Sequence, residues 1–185
     1  MARGHIERII DMGVFSKFKR ITRLSEPRAI AVDEDLGVLC APITGRVVAM
    51  ADVPDPVFSG GMLGKGCAVW PDESVVYAPV SGAVTVAMGH AVGIVSDEGL
   101  EVLVHVGVDT VNMRGDGFEA FAEVGERVRV GQPLMRIDRA KIEAAGHPDC
   151  VVLAVGNSDE FNLVEVMVET GCVVVAGAPM VRVRA

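Results

Sequence analysis

Ala41-Pro42-Ile43-Thr44-Gly45-Arg46-Val47 recurs as Ala78-Pro79-Val80-Ser81-Gly82-Ala83-Val84. Each copy is a proline-led turn feeding a strand of β-branched residues. A second unit also recurs. Gly125-Glu126-Arg127-Val128-Arg129-Val130-Gly131-Gln132-Pro133 matches Gly171-Cys172-Val173-Val174-Val175-Ala176-Gly177-Ala178-Pro179. Two pairs are too few for a solenoid and fit an internally duplicated all-β fold, an antiparallel β-sandwich or barrel.

Composition agrees. Of 185 residues, 34 are valine and 4% are aromatic, so the core is filled by side chains suited to strands. Half of the residues are apolar, enough for a substantial core. Short helices are expected over Glu119–Val124 and Arg139–Ala145, the second closed by Gly146-His147-Pro148. Ser158–Glu169 is open between a helix capped by Asn157-Ser158-Asp159 and a strand alternating through Val164, Val166 and Val168. The uncharged run Ser74–Ser96 contains Pro79, Gly82, Gly89 and Gly93, and reads as buried strands around turns rather than a membrane span.

The net charge of −8 argues against nucleic acid as a partner. The charge is divided unevenly. Residues 1–28 carry seven Lys/Arg and three Asp/Glu, and the remaining residues ten and 22. We therefore divide the chain into a basic N-terminal tail, 1–28, and a β domain, 29–185. Val14, Phe15, Phe18 and Ile21 share a helical face flanked by Lys17, Lys19, Arg20 and Arg23. Residues 12–23 thus suit an amphipathic helix lying on an anionic membrane surface, against the alternative of a solvated tail. Met1 and Met12 are both open as starts. The four cysteines, Cys40, Cys67, Cys150 and Cys172, include no C-x-x-C pair and sit among apolar residues, as buried thiols of a reducing compartment do.

The chemistry centres on Leu103-Val104-His105-Val106-Gly107-Val108-Asp109-Thr110-Val111. A lone histidine on an apolar strand is ordinarily a core residue with one hydrogen bond. Here Gly107 opens the backbone beside it, and Asp109 shares its face if the strand stays regular. His90 lies between Gly89 and Gly93, after another apolar strand. A hairpin with its tip at Asp97-Glu98 places His90 opposite His105. Two facing imidazoles beside a carboxylate suit metal binding or transfer of a charged group such as phosphoryl. The loop from Asp52 to Gly66, with Val57, Phe58, Met62 and Leu63, reads as an apolar patch offered to a partner.

These motifs resemble the glucose-type enzyme IIA component of the bacterial phosphoenolpyruvate-dependent sugar phosphotransferase system. The resemblance rests on both Ala-Pro-x-x-Gly turns, Val53-Pro54-Asp55 through Phe58, Gly64–Gly66, His90-Ala91, the run from His105 to Val111, Gly115–Phe118 and Gly125–Gly131. It implies a phosphoryl carrier in the cytoplasm, peripheral to the membrane's inner face where the tail binds it. His105 would accept the group from the histidine phosphocarrier protein and pass it to a cysteine of a sugar-specific enzyme IIB or permease. His90 would steady the phosphoryl oxygens and Asp109 would tune charge. Val57, Phe58, Gly107 and Val111 would form the partner surface, and backbone N–H groups near Gly107 could add donors. The unphosphorylated form would have regulatory target enzymes. No cofactor is implied, though a zinc ion could be shared by His90 and His105 in a partner complex. A monomer is the default for a relay module.

In the family a threonine commonly stands two residues before the second histidine; here it is Met88. No enzyme IIB signature is visible, so the chain reads as a lone IIA component or one cut from a longer protein. A lysostaphin-type zinc peptidase would need an H-x-H motif, but Leu103 and Gly107 flank His105. A biotinyl or lipoyl carrier would need a hairpin-tip lysine, and neither Lys65 nor Lys141 fits.

Overall fold

The computed structural model describes residues 25–185; the helix expected over 12–23 lies outside the described residues. Fourteen strands are described: β1 (Val38–Cys40), β2 (Gly45–Ala49), β3 (Lys65–Pro71), β4 (Val75–Tyr77), β5 (Gly82–Ala87), β6 (Ala91–Ser96), β7 (Glu101–Val106), β8 (Phe118–Ala120), β9 (Arg127–Val128), β10 (Pro133–Ile137), β11 (Val151–Val155), β12 (Leu163–Val166), β13 (Val173–Val174) and β14 (Pro179–Arg184). Helices are short: α1 (Pro56–Ser59), α2 (Arg139–Ala144) and three 3₁₀ turns. The strands form an eight-stranded sheet, β13-β2-β3-β11-β7-β6-β5-β9, and two three-stranded sheets, β1-β14-β12 and β4-β10-β8. Every pairing is antiparallel.

The duplication read from the sequence is built into the hydrogen bonds. Cys40 N–H donates to the Pro79 carbonyl and Tyr77 N–H to that of Pro42, so each Ala-Pro turn holds the strand entering the other. Ala41 is bonded to Ala178 and Gly177, as Ala78 is to Gln132 and Gly131. Val47 takes Cys172 and Gly171 as partners, as Val84 takes Glu126 and Gly125. The halves thus interlock about a pseudo-two-fold axis.

Alternation splits the large sheet into two faces. Val92, Ile94, Val102, Val104, Val106, Val151, Leu153 and Val155 point inward and pack with Leu39, Leu134, Met135, Ile137, Met180 and Val181 of the small sheets. On the outer face Val48, Ala68, Val152 and Ala154 form a smaller cluster roofed by Val53 and Phe58, with Leu103 at its edge. His105 alternates with Val104 and Val106, so it belongs to this outer face.

Three local expectations change. Glu119–Val124 is not a helix. Residues 118–120 form β8, because Glu119 pairs with Arg136 on β10 and bridges it at 2.5 Å, while Phe121 N–H reaches the Leu134 carbonyl. Tertiary pairing overrides local propensity here. Ser158–Glu160 is one 3₁₀ turn before β12, so the alternating valines decide that segment. Cys172 is exposed in the turn before β13, whereas Cys40, Cys67 and Cys150 are buried as expected. Burial pushes the Cys67 and Cys150 thiols up to about 12, which leaves them unreactive. The helix over 139–145 forms as expected, capped by Asp138 and stopped by Gly146 in the left-handed region.

Leu153 sits on β11, the strand beside β7, and is fully buried. Leu153→Ala should cost about 2–5 kcal/mol in urea unfolding. A loss under about 1 kcal/mol would show that the sheet core is not packed as described.

Candidate functional site

His105 is held from both sides. On β7 it pairs with Ala91 of β6 and Val152 of β11, so its backbone lies inside the sheet. The expected facing of His90 and His105 is displaced by one residue, since Ala91, not His90, is opposite His105. The cause is a three-residue turn, Asp97-Glu98-Gly99. Gly99 has φ +82°, and Ser96 N–H closes on the Leu100 carbonyl. His90 precedes β6 and accepts at its carbonyl from Val106 N–H (2.8 Å). The rings still meet: their centroids are 5.0 Å apart, at 81°.

Phe58 approaches from the other side, 5.0 Å from His105 and tilted by 58°. Sequence reading placed Phe58 on an exposed patch, but it is only 4% exposed and packs under the surface against the imidazole. Val57 beside it is 40% exposed and Val111 59%, so these two do reach the surface, as does Met88 at 52%. Asp55 organises this wall. Its carboxylate caps α1 by accepting Val57 N–H (2.7 Å), and Pro56 starts the helix.

The strand does not continue to Asp109. β7 ends at Val106, Gly107 turns at φ +76°, and Asp109 is exposed with φ +57° at the start of a 3₁₀ turn. Asp109 therefore does not share the His105 face as a strand residue. The carboxylate whose field reaches His105 is Asp55. Asp55 is the residue that sequence reasoning passed over, although Asp-Pro before Val-Phe is a recognisable helix start. Gly107 is buried, and its N–H is engaged with the Cys150 carbonyl (2.8 Å), as Val108 N–H is with that of Pro148 (3.1 Å). Neither is a spare donor, contrary to expectation. A Cβ on Gly107 would lie 2.2 Å from Thr110 Cγ2 and 2.8 Å from the Pro148 carbonyl oxygen.

Electrostatics keep both rings neutral. His105 is pushed down to about 4, first by burial, then by His90, against smaller opposing effects of the Gly107 backbone and Asp55. Burial also lowers His90. Nδ1 of His105 is sealed from solvent with no completed hydrogen bond; the Gly107 backbone favours its protonated form without reaching normal bond geometry. Phe118 packs edge-on to His90 at 6.4 Å. Among the described residues no group of three His, Cys, Asp or Glu side chains converges as a metal site.

The family described as phosphoenolpyruvate-dependent sugar phosphotransferase system, EIIA 1, matches residues 37–161, a span containing both histidines. The chain belongs to this EIIA family. It is a phosphotransferase component and a phosphoryl carrier of sugar transport. It is 37% identical over 141 residues to the glucose-specific EIIA component of Staphylococcus epidermidis, covering 75% of this chain and 84% of that protein. It is 42% identical over 127 residues to the β-glucoside-specific EIIBCA component of Bacillus subtilis, covering 68% of this chain and 21% of that longer protein. The solved glucose permease IIA of Mycoplasma capricolum superposes with a TM-score of 0.67 at 30% identity, over 78% of this chain and 93% of that one. The all-β sandwich expected from the repeats is the family's fold.

Two measurements check the site. Gly107→Ala combines a left-handed backbone with a clash, so it should destabilise by about 1–3 kcal/mol and shift the His105 ring resonances. Unchanged resonances would show that this turn does not position the ring. Second, folded His105 takes its proton only near pH 4, and the unfolded ring near 6.5. The unfolded chain binds more protons in between, so stability should fall as pH drops across that window. In urea titrations at pH 7 and pH 5, His105→Gln should lose less on acidification than wild type; an equal loss would contradict the shift.

Proposed function

We propose that His105 carries the phosphoryl group, received from the histidine phosphocarrier protein and given to a cysteine of a sugar-specific enzyme IIB. The observation that supports this best is a neutral imidazole sealed at Nδ1, with a second imidazole 5.0 Å away. The Nε2 lone pair attacks phosphorus, the P–N bond to the donor histidine breaks, and the donor ring leaves with that electron pair. His105 then keeps its proton at Nδ1, and the negative charge stays on the phosphoryl oxygens. In the second step a cysteine thiolate attacks phosphorus and His105 leaves as a neutral ring.

His90, neutral and beside the acceptor, donates an N–H to the oxygens as charge redistributes. Val57, Val111 and Met88 form an apolar rim that a partner covers, excluding water from a reactive P–N bond. Phe58 and Gly107 support this surface from beneath. Asp109, exposed at the rim, biases partners by charge and disfavours approach of anionic bystanders. Among the described residues zinc would find only His90 and His105 here, so a bound ion requires a further ligand from a partner. Regulatory target enzymes, a cytoplasmic site at the membrane's inner face and the membrane contact of residues 12–23 belong to this reading too. No described helix is long and apolar enough to cross a membrane.

Intact mass after incubation with phosphoenolpyruvate, enzyme I and the phosphocarrier should show one acid-labile phosphoryl group. His105→Ala should show none, and His90→Ala should lose roughly 10²-fold or more in transfer rate. Wild type that stays unmodified by competent upstream proteins would overturn the relay. Met88→Thr should lengthen the phosphohistidine lifetime by restoring a hydroxyl near His90; an unchanged lifetime would remove Met88 from the account.

A further inference from the structure

Four polar side chains are buried among the described residues: His90, Ser96, Ser158 and Thr110. Ser96 accepts Glu98 and Leu100 N–H at the hairpin turn, and Ser158 accepts Lys65 N–H. Thr110 is the one with no exposure at all, and it sits directly beyond the end of the histidine strand. The turn that brings it there is demanding, with Gly107 at φ +76° and Asp109 at φ +57°.

Thr110 grips the end of β7 with both branches of its side chain. Its hydroxyl donates to the Val106 carbonyl at 2.5 Å. Its methyl lies against Gly107, where an added Cβ would come 2.2 Å from Cγ2. Both branches stand on one Cβ, so a single stiff torsion sets them together.

What it grips is the Val106–Gly107 peptide, to which both histidines are tied. Val106 N–H donates to the His90 carbonyl (2.8 Å), which joins the second histidine to β7. Gly107 N–H donates to the Cys150 carbonyl (2.8 Å). The peptide plane is thus held at its N–H by β11's approach and at its oxygen by the Thr110 hydroxyl. Tilting that plane would turn the Gly107 carbonyl that follows it. That carbonyl is the acceptor Gly107 can offer His105, and the Gly107 backbone favours a proton on the ring.

We infer that Thr110 is a positioning residue for phosphoryl transfer. By fixing the Val106–Gly107 peptide it aims the Gly107 carbonyl at Nδ1 of His105, which keeps the neutral ring's proton there and its lone pair on Nε2. The inference rests on His105 as the phosphoryl carrier. Thr110 acts through Gly107 and does not touch phosphorus.

Two readouts on the full chain test it: the His105 tautomer, from proton–nitrogen correlation of the unphosphorylated protein, and the rate of transfer from the phosphorylated phosphocarrier. Wild type should carry its His105 proton predominantly on Nδ1. Thr110→Val keeps the shape and removes the donor. It should give a tautomer mixture and a maximal rate about tenfold lower, with the half-saturating phosphocarrier concentration within about twofold of wild type. Thr110→Ser keeps the donor, and should keep the Nδ1–H form and a rate within about twofold. Thr110→Ala, in which water can reach the Val106 carbonyl, serves if the valine variant misfolds and should show the same mixture. A wild-type tautomer in the valine and alanine variants, or equal loss in the serine and valine variants, would overturn the inference. Wild type that takes no phosphoryl group would contradict the carrier reading instead, and the tautomer comparison alone would then decide the role of Thr110.

Discussion

Backbone pairing on both flanks of His105 is the constraint on which the site depends. Ala91 on one side and Val152 on the other fix the residue within a continuous ladder, so the imidazole has no backbone freedom with which to leave its setting. Phe58 then closes one face and His90 the other. The resulting desolvation outweighs the attraction of Asp55, and the ring stays neutral far below physiological pH. A neutral nitrogen with a stored lone pair is the form a phosphoryl acceptor needs, and the fold holds it without a general base.

The internal duplication explains why one half carries the site. Equating Gly45 with Gly82, and their partners Pro71 with Ser96, places Lys65 where the other half has His90, and Ala154 where it has His105. The Val155-Gly156 step at the end of β11 corresponds to Val106-Gly107. Lys65 is ion-paired with Asp159, and Ala154 is buried in the outer cluster. One copy of the motif therefore carries the facing histidines and the other a lysine and a buried alanine. The same divergence puts exposed Arg127 on the β9 edge of the large sheet and exposed Val173 on the β13 edge.

Much of this was legible in the sequence because the repeats set turn, strand and pairing partner together. The Ala-Pro turns and the Gly-flanked Val strands marked the duplicated sheets, and period-two alternation put His105 on its own face. What was lost depended on single residues of register or on tertiary pairing. Gly99 adds a third residue to one turn and slips the His90 facing. Gly107 ends the strand before Asp109 can align with it. Glu119 has helical neighbours in sequence but a strand partner in Arg136. Phe58 looked exposed because sequence cannot show that α1 folds back onto the histidine. Asp55 was hidden in plain view as a helix cap whose charge also reaches the imidazole.

The most direct measurement is a long-range proton–nitrogen correlation spectrum of the phosphorylated protein, with nitrogen–phosphorus coupling resolved at His105. Phosphorus should be bonded to Nε2, with the proton on Nδ1 facing the Gly107 backbone. Phosphorus on Nδ1, or on His90, would contradict the claim that the sheet seals one nitrogen and presents the other.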